Sequence, residues 1–69
     1  MQYIILYDGS GIIVGKVSTN DSRQLLNYDN YIEVDKETHE SAPELWGEID
    51  IATKKVKAKI GHVDPRKKP

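Results

Sequence analysis

The sequence predicts a small, mainly β domain of about five strands, arranged as two antiparallel hairpins and a linking strand with one short helical turn; a small α+β fold is the alternative. Three observations predict it. The 69 residues suffice for one domain at most. β-Branched and aromatic side chains dominate the opening segments, and apolar–polar alternation marks the last third of the chain. The absence of cysteine excludes disulfide-stapled miniproteins, thiolate zinc sites and thiol enzymes.

The first hairpin is predicted from two apolar segments, residues 3–7 and 12–17, on either side of a glycine-rich turn. A two-residue turn at positions 9 and 10 would place Tyr7 opposite Ile12. Both faces of this hairpin are then largely apolar, whereas a sheet with one face in water alternates. We therefore expect the second face to be covered by other parts of the chain or by another subunit.

The middle of the chain predicts three pieces. Good N-cap residues at positions 20–22 precede a helical turn near residues 21–26, in which Leu25 and Leu26 are expected to cover one face of the first hairpin. Residues 30–35 alternate as a single strand. Residues 36–44 contain no large apolar side chain, so we expect a loop there.

The last hairpin is predicted by two patterns that agree. Pairing Ile51 with Val56 puts the aliphatic side chains on one face and brings Asp50 opposite Lys57 on the other. A slip by one residue would destroy both the apolar face and the charge pairs, so this register is expected.

Charge is balanced over the whole chain but not along it. Residues 29–53 carry eight acidic side chains against one lysine, and residues 54–69 carry seven basic ones against one aspartate. Either the basic segment meets nucleic acid, or the two segments face each other inside one fold. We expect one domain over residues 1–60 and a flexible basic tail over 61–69.

Catalytic and metal chemistry find little support in the sequence. The two histidines, His39 and His62, lack the spacing of a metal site, and no serine has a nucleophile context. The glycine-rich turn lacks the pattern of a phosphate-binding loop. We therefore expect that the protein is not an enzyme and that it binds neither a cofactor nor a metal. The apolar runs are too short to span a bilayer and the N-terminus lacks the basic region of a signal peptide, so a cytoplasmic location is expected.

Two functions remain after these exclusions. The first is a non-catalytic protein–protein interaction or assembly module, with a homodimer as one form, because the first hairpin carries surplus apolar surface. Its expected interface residues are Tyr3, Ile5, Tyr7, Tyr31 and Trp46. The alternative is a small nucleic-acid-binding protein that contacts phosphates through a basic patch. The residues of that patch would be Lys54, Arg66, Lys67 and Lys68.

Four segments carry a resemblance to a known group of proteins. Residues 3–8 (YIILYD), 11–15 (GIIVG), 31–34 (YIEV) and 49–56 (IDIATKKV) resemble small phage or prophage-encoded proteins of the tail region, such as tail-fibre accessories. Those proteins begin with a strand, an Asp/Asn-Gly turn and a second strand, and they end with a hairpin of the pattern V-D-x-x-T-x-x-V. The resemblance implies a virion-associated role. The basic C-terminal segment departs from the acidic or proline-rich ends of such proteins and keeps nucleic-acid contact open.

Overall fold

The computed structural model describes residues 1–66, and its two antiparallel sheets confirm the mainly β prediction. The first sheet contains three strands and the second contains two. In chain order the elements are β1 (Gln2–Tyr7), β2 (Ile13–Thr19), a 3₁₀ helix (Ser22–Asn27), β3 (Tyr31–Val34), α1 (Lys36–Glu40), α2 (Pro43–Trp46), β4 (Gly47–Asp50) and β5 (Lys55–Ala58). The strand order is β2-β1-β3 in one sheet and β4-β5 in the other.

The first hairpin forms, but its predicted two-residue turn is wrong. The Asp8 carboxylate accepts hydrogen bonds from the backbone amides of Ser10 at 2.9 Å and Ile12 at 3.0 Å, which closes a longer loop. Tyr7 consequently lies opposite Ile13 instead of Ile12. A β-bulge next to this pair shifts the register by one further residue along the rest of the hairpin.

Both faces of the first sheet are covered by the chain itself. One face packs on the second hairpin in a cluster made of Ile5, Tyr7, Ile13 and Ile49, with Ile32, Val34 and Val56 packed against it. On the other face Ile4 is fully buried. The connection from β2 to β3 must cross one face of the sheet, because those strands flank β1. Leu25 of the 3₁₀ helix is buried as predicted, whereas Leu26 is 84% exposed, so the prediction fails for Leu26.

Residues 36–44, predicted as a loop, are mostly helical. Asp35 begins α1 by accepting a hydrogen bond from the Thr38 amide at 2.8 Å. Pro43 occupies the first turn of α2, where a missing amide proton costs no hydrogen bond. The loop prediction is wrong because these short helices depend on end capping, and apolar periodicity plays little part in them. Trp46 accordingly ends α2 and does not lie on a strand.

The second hairpin keeps its predicted faces but not its predicted register. Ile49, not Ile51, lies opposite Val56, and Glu48 lies opposite Lys57. The pairing is displaced by two residues, and a shift by two returns every side chain to the same face. The Lys57 amine lies 3.7 Å from the Glu48 carboxylate, so a charge pair forms across the strands with a different acid from the one predicted.

Among the described residues, one backbone hydrogen bond links the second sheet to the first turn. The Ile49 amide of β4 donates to the Gly11 carbonyl at 2.8 Å. Gly11 has a φ of +88°, which favours glycine. On the opposite side of the core, β3 and β5 border a cleft. Among residues 1–66 no helix has the length and apolar character needed to cross a membrane.

Candidate functional site

A cleft lies between β3 and β5. Its volume is about 380 Å³. Half-buried aliphatic side chains, carboxylates and basic groups share its walls. The lining residues are Ile32, Glu33, Val34, Asp35, Thr38, Lys54, Lys55, Val56 and Arg66. The cleft therefore combines an apolar floor with charged rims.

The edge of β3 that borders the cleft has free backbone groups. The Tyr7 amide donates to the Asn30 carbonyl at 3.2 Å, which sets the alternation of hydrogen bonds between β1 and β3. Residues 30, 32 and 34 then point their amide and carbonyl groups at β1. Tyr31 and Glu33 point theirs away, and β3 pairs with no second strand in residues 1–66. This edge carries two free donors and two free acceptors.

The edge of β5 is free in the same way. The Lys59 amide donates to the Trp46 carbonyl at 2.9 Å, so Lys57 and Lys55 continue the hydrogen-bonded alternation with β4. Val56 and Ala58 therefore direct their backbone groups away from β4, and β5 has no other neighbouring strand in the part of the chain that is described. Two free strand edges thus border one cleft.

The basic rim of the cleft comes from the turn between β4 and β5. Lys54 has a φ of +57° and its amide donates to the Asp50 carbonyl, which closes the turn. Within residues 1–66 neither Lys54 nor Lys55 lies within 4 Å of a carboxylate oxygen. On the other wall, hydrogen bonds from the Thr38 side chain and amide lower the pKa of Asp35. Lys54 and Lys55 therefore have no ion-pair partner among residues 1–66.

Arg66 closes one end of the cleft. Its guanidinium donates to both carboxylate oxygens of Asp64, at 3.0 Å and 2.7 Å, and to the Thr38 hydroxyl at 2.7 Å. The same group lies 5.1 Å from the ring centre of Trp46. The hydrogen bond with Asp64, whose side chain is 5% exposed, raises the pKa of Arg66 above its usual value. Residues 64–66 of the predicted flexible tail are thus in contact with the rest of the chain.

Two of the four residues of the predicted basic patch, Lys54 and Arg66, line the same cleft. Lys54 is exposed on the rim of the cleft, and Arg66 is engaged by Asp64. Lys67 and Lys68 lie outside the described residues. The other expectation was that the acidic and basic segments face each other inside the fold. Arg66 agrees with it, because the charge of Asp64, together with those of Asp35 and Glu37, raises its pKa.

The five predicted interface residues do not share one surface. Ile5, Tyr7 and Trp46 are buried at 0%, 6% and 7% exposure, and the Trp46 indole donates to the Ser41 carbonyl at 3.0 Å. Their burial assigns these three side chains to the interior of the single chain. Tyr31 is 37% exposed, beside the cleft.

Tyr3, the fifth of these residues, is half-buried against α1. Its ring centre lies 5.2 Å from that of His39, in a tilted arrangement. The His39 Nε2 atom is buried and has no hydrogen-bond partner among the described residues. No group of three histidine, aspartate or glutamate side chains in residues 1–66 is placed to hold a metal ion. The pair is best described as packing between α1 and the sheet.

Sequence reasoning missed a second surface, which we call the apolar seam. It follows the junction of β2 with α2 and the end of β4, where Lys16 forms an ion pair with Glu44 at 3.3 Å. Four aliphatic side chains in or next to these elements are exposed by 45–70%, namely Ile12, Val14, Leu45 and Ile51. Alternation placed Ile12 and Val14 on one apolar face of the hairpin, opposite Tyr7 and Ile5, whereas the longer first turn and the bulge change the pairing of both positions. No signal in the sequence marked that change.

Comparison with known proteins assigns no function to either surface. No protein-family model matches the sequence, and no curated protein or solved structure shows significant similarity to the chain. Function must therefore be inferred from the residues and their geometry.

Proposed function

We propose that the chain is a non-catalytic assembly module that binds a second copy of itself through the apolar seam. The observation that carries this proposal is the exposure of the four seam residues: Ile51 is 45% exposed, Ile12 53%, Val14 65% and Leu45 70%. Aliphatic side chains from separate segments that converge on one exposed surface are typical of protein interfaces. Covering them would remove apolar area from water at about 25 cal/mol per Å².

Charge at the seam favours a second copy as the partner. The ion pair between Lys16 and Glu44 leaves the seam without net charge from these two residues. Two copies that approach through a two-fold axis therefore meet without like-charge repulsion at this point. An isologous contact also needs only one self-complementary patch, which the seam supplies.

The alternative function and the resemblance stay predictions. Nucleic-acid binding is supported by Lys54 and Lys55, which lack ion-pair partners in residues 1–66, and is weakened by the engagement of Arg66 with Asp64. A virion role would be one setting for an assembly module, and a cytoplasmic location would be the other.

The test is the absolute mass of the purified protein by light scattering, measured across concentration at low and high salt. We expect a dimer or larger species that survives high salt. Val14→Glu should leave a monomer, because it places a charge in the apolar contact. The control is Leu26→Glu, which introduces the same charge at an apolar residue that is 84% exposed on the 3₁₀ helix, away from the seam.

Three results would overturn the proposal. A monomer at all concentrations means that the seam binds no second copy. A monomer whose mass rises only when duplex DNA is added at low salt favours the nucleic-acid alternative. Equal dissociation by both glutamate variants would place the contact somewhere other than the seam.

A further inference from the structure

The free edge of β3 and the unpaired lysines of the β4–β5 turn border the same cleft. We infer that this cleft binds an extended, acidic peptide segment of another protein, which adds a strand to β3 and places a carboxylate against Lys54 and Lys55. The inference rests on the proposed function only in that the chain binds protein, since it concerns a surface other than the apolar seam.

Backbone hydrogen bonds carry the first step of the argument. Tyr31 and Glu33 direct their amide and carbonyl groups away from β1, and no strand of residues 1–66 pairs with them. An added strand would satisfy this set of donors and acceptors in the manner of edge-strand recognition. The half-buried side chains of Ile32, Val34 and Val56 provide an apolar floor for the inward-facing residues of the peptide.

Charge selects the chemistry of the peptide. Three other charged groups line the cleft, and each has a described contact. Arg66 binds Asp64, and the Asp35 carboxylate caps α1. The Glu33 carboxylate accepts a hydrogen bond from the Gln2 side chain at 3.5 Å. Lys54 and Lys55 have no carboxylate within 4 Å in the described chain. An acidic residue near the end of an added strand would pair with these two lysines, whereas a basic residue at the same place would be repelled by them.

A second copy is a poorer occupant of this edge. Pairing β3 with β3 of another chain brings two Glu33 side chains into one four-residue ladder, where like charges destabilise the pairing. Glu33 is also the one acidic residue that β3 of a second copy could bring to Lys54. The observations therefore favour a peptide of different sequence.

Selection from a random dodecapeptide display library tests the chemistry. We expect the enriched peptides to combine β-branched or aromatic residues with aspartate or glutamate. A synthetic enriched peptide is then titrated by calorimetry. The double variant Lys54→Glu and Lys55→Glu should bind it at least tenfold more weakly at low salt. The matched control, Lys57→Glu, changes a lysine of the same strand outside the cleft and should weaken binding less than twofold. Absence of enrichment, enrichment of basic peptides, or equal loss in the control would overturn the inference.

Amide hydrogen exchange tests the strand addition on a chain with an intact cleft. The measurement uses the Val14→Glu variant, so that self-association does not contribute. The Tyr31 and Glu33 amides should exchange rapidly alone and at least tenfold more slowly with saturating peptide. Unchanged exchange overturns the inference, as does protection that appears with protein concentration in the wild-type chain without peptide. A chain that binds the peptide but never self-associates refutes only the proposed assembly function, and the converse result refutes only this inference.

Discussion

Replacing Gly11 by alanine tests how the two sheets are held together. Gly11 has a φ of +88°, and a Cβ at this position would overlap the carbonyl oxygen of Ile49. The left-handed backbone costs an L-residue about 1–2 kcal/mol. Displacing Ile49 also weakens its amide bond to the Gly11 carbonyl, a hydrogen bond of 2.8 Å that contributes about 0.5–1.5 kcal/mol. We therefore expect Gly11→Ala to lower the free energy of unfolding by about 2–3 kcal/mol.

Two other glycines separate the contributions. Gly61 has a φ of +84° but open space around it, so Gly61→Ala should cost only the backbone strain. Gly9 has neither a left-handed φ nor a neighbour within 4 Å, so Gly9→Ala should change stability by less than about 0.5 kcal/mol. Urea unfolding followed by circular dichroism measures all three. A Gly11→Ala variant as stable as Gly61→Ala would refute the steric contact between the sheets.

Three further predictions concern the second face, the C-terminal segment and pH. Leu25→Ala should cost about 2–3 kcal/mol because Leu25 is 6% exposed, whereas Leu26→Ala should cost less than about 0.5; equal urea midpoints would contradict the different burial of the two leucines. Arg66→Ala should cost about 1–3 kcal/mol because it leaves the buried Asp64 carboxylate without its guanidinium, whereas Lys57→Ala at an exposed ion pair should cost about 0–0.5. Thermal unfolding measures both variants, and equal midpoints would mean that the segment near Arg66 is not docked on the rest of the chain. Because hydrogen bonds lower the pKa of Asp35, its stabilising effect is fully present above the unfolded value of about 3.9 and is lost as pH falls through the lower folded pKa. Unfolding free energies measured from pH 7 downward should therefore fall less steeply for Asp35→Asn, and parallel curves would contradict the cap.

The β class and the positions of the hairpins follow from the apolar pattern, but strand register does not. In the second hairpin the alternation and the charge ladder exclude a slip by one residue, yet a shift by two preserves both. The turn decides between the two registers. The Asp50 carboxylate accepts a hydrogen bond from the Ala52 amide at 3.1 Å, and Lys54 adopts a φ of +57°. The turn is therefore longer than predicted, and Ile51 does not pair with Val56.

The aspartates carry a signal that charge counting hides. Five of the six accept a hydrogen bond from a backbone amide two or three residues further along the chain, and each marks a turn or a helix start. They are Asp8, Asp21, Asp35, Asp50 and Asp64. Treated as turn residues, they indicate the start of α1 and the contact segment near Arg66, neither of which was predicted. Their local role also explains part of the acidic excess in the middle of the chain.

The cleft could not be predicted from local patterns. It exists because β3 and β5 come from distant parts of the chain and pack on one core, and no spacing within either segment specifies that. Trp46 shows the related difficulty for single residues. The sequence predicted an interface residue, whereas Pro43 begins a short helix that turns the Trp46 ring inward under Arg66.

The contact between Trp46 and Arg66 gives the chain a built-in optical probe. Trp46 is the single tryptophan of the sequence, and a guanidinium lies 5.1 Å from its ring centre. Indole emission responds to nearby charge, so lifting Arg66 away should change the emission wavelength even while the sheets stay folded. Since Arg66 also lines the cleft between β3 and β5, an unlabelled sample would report both undocking of the C-terminal segment and occupation of the cleft by emission alone.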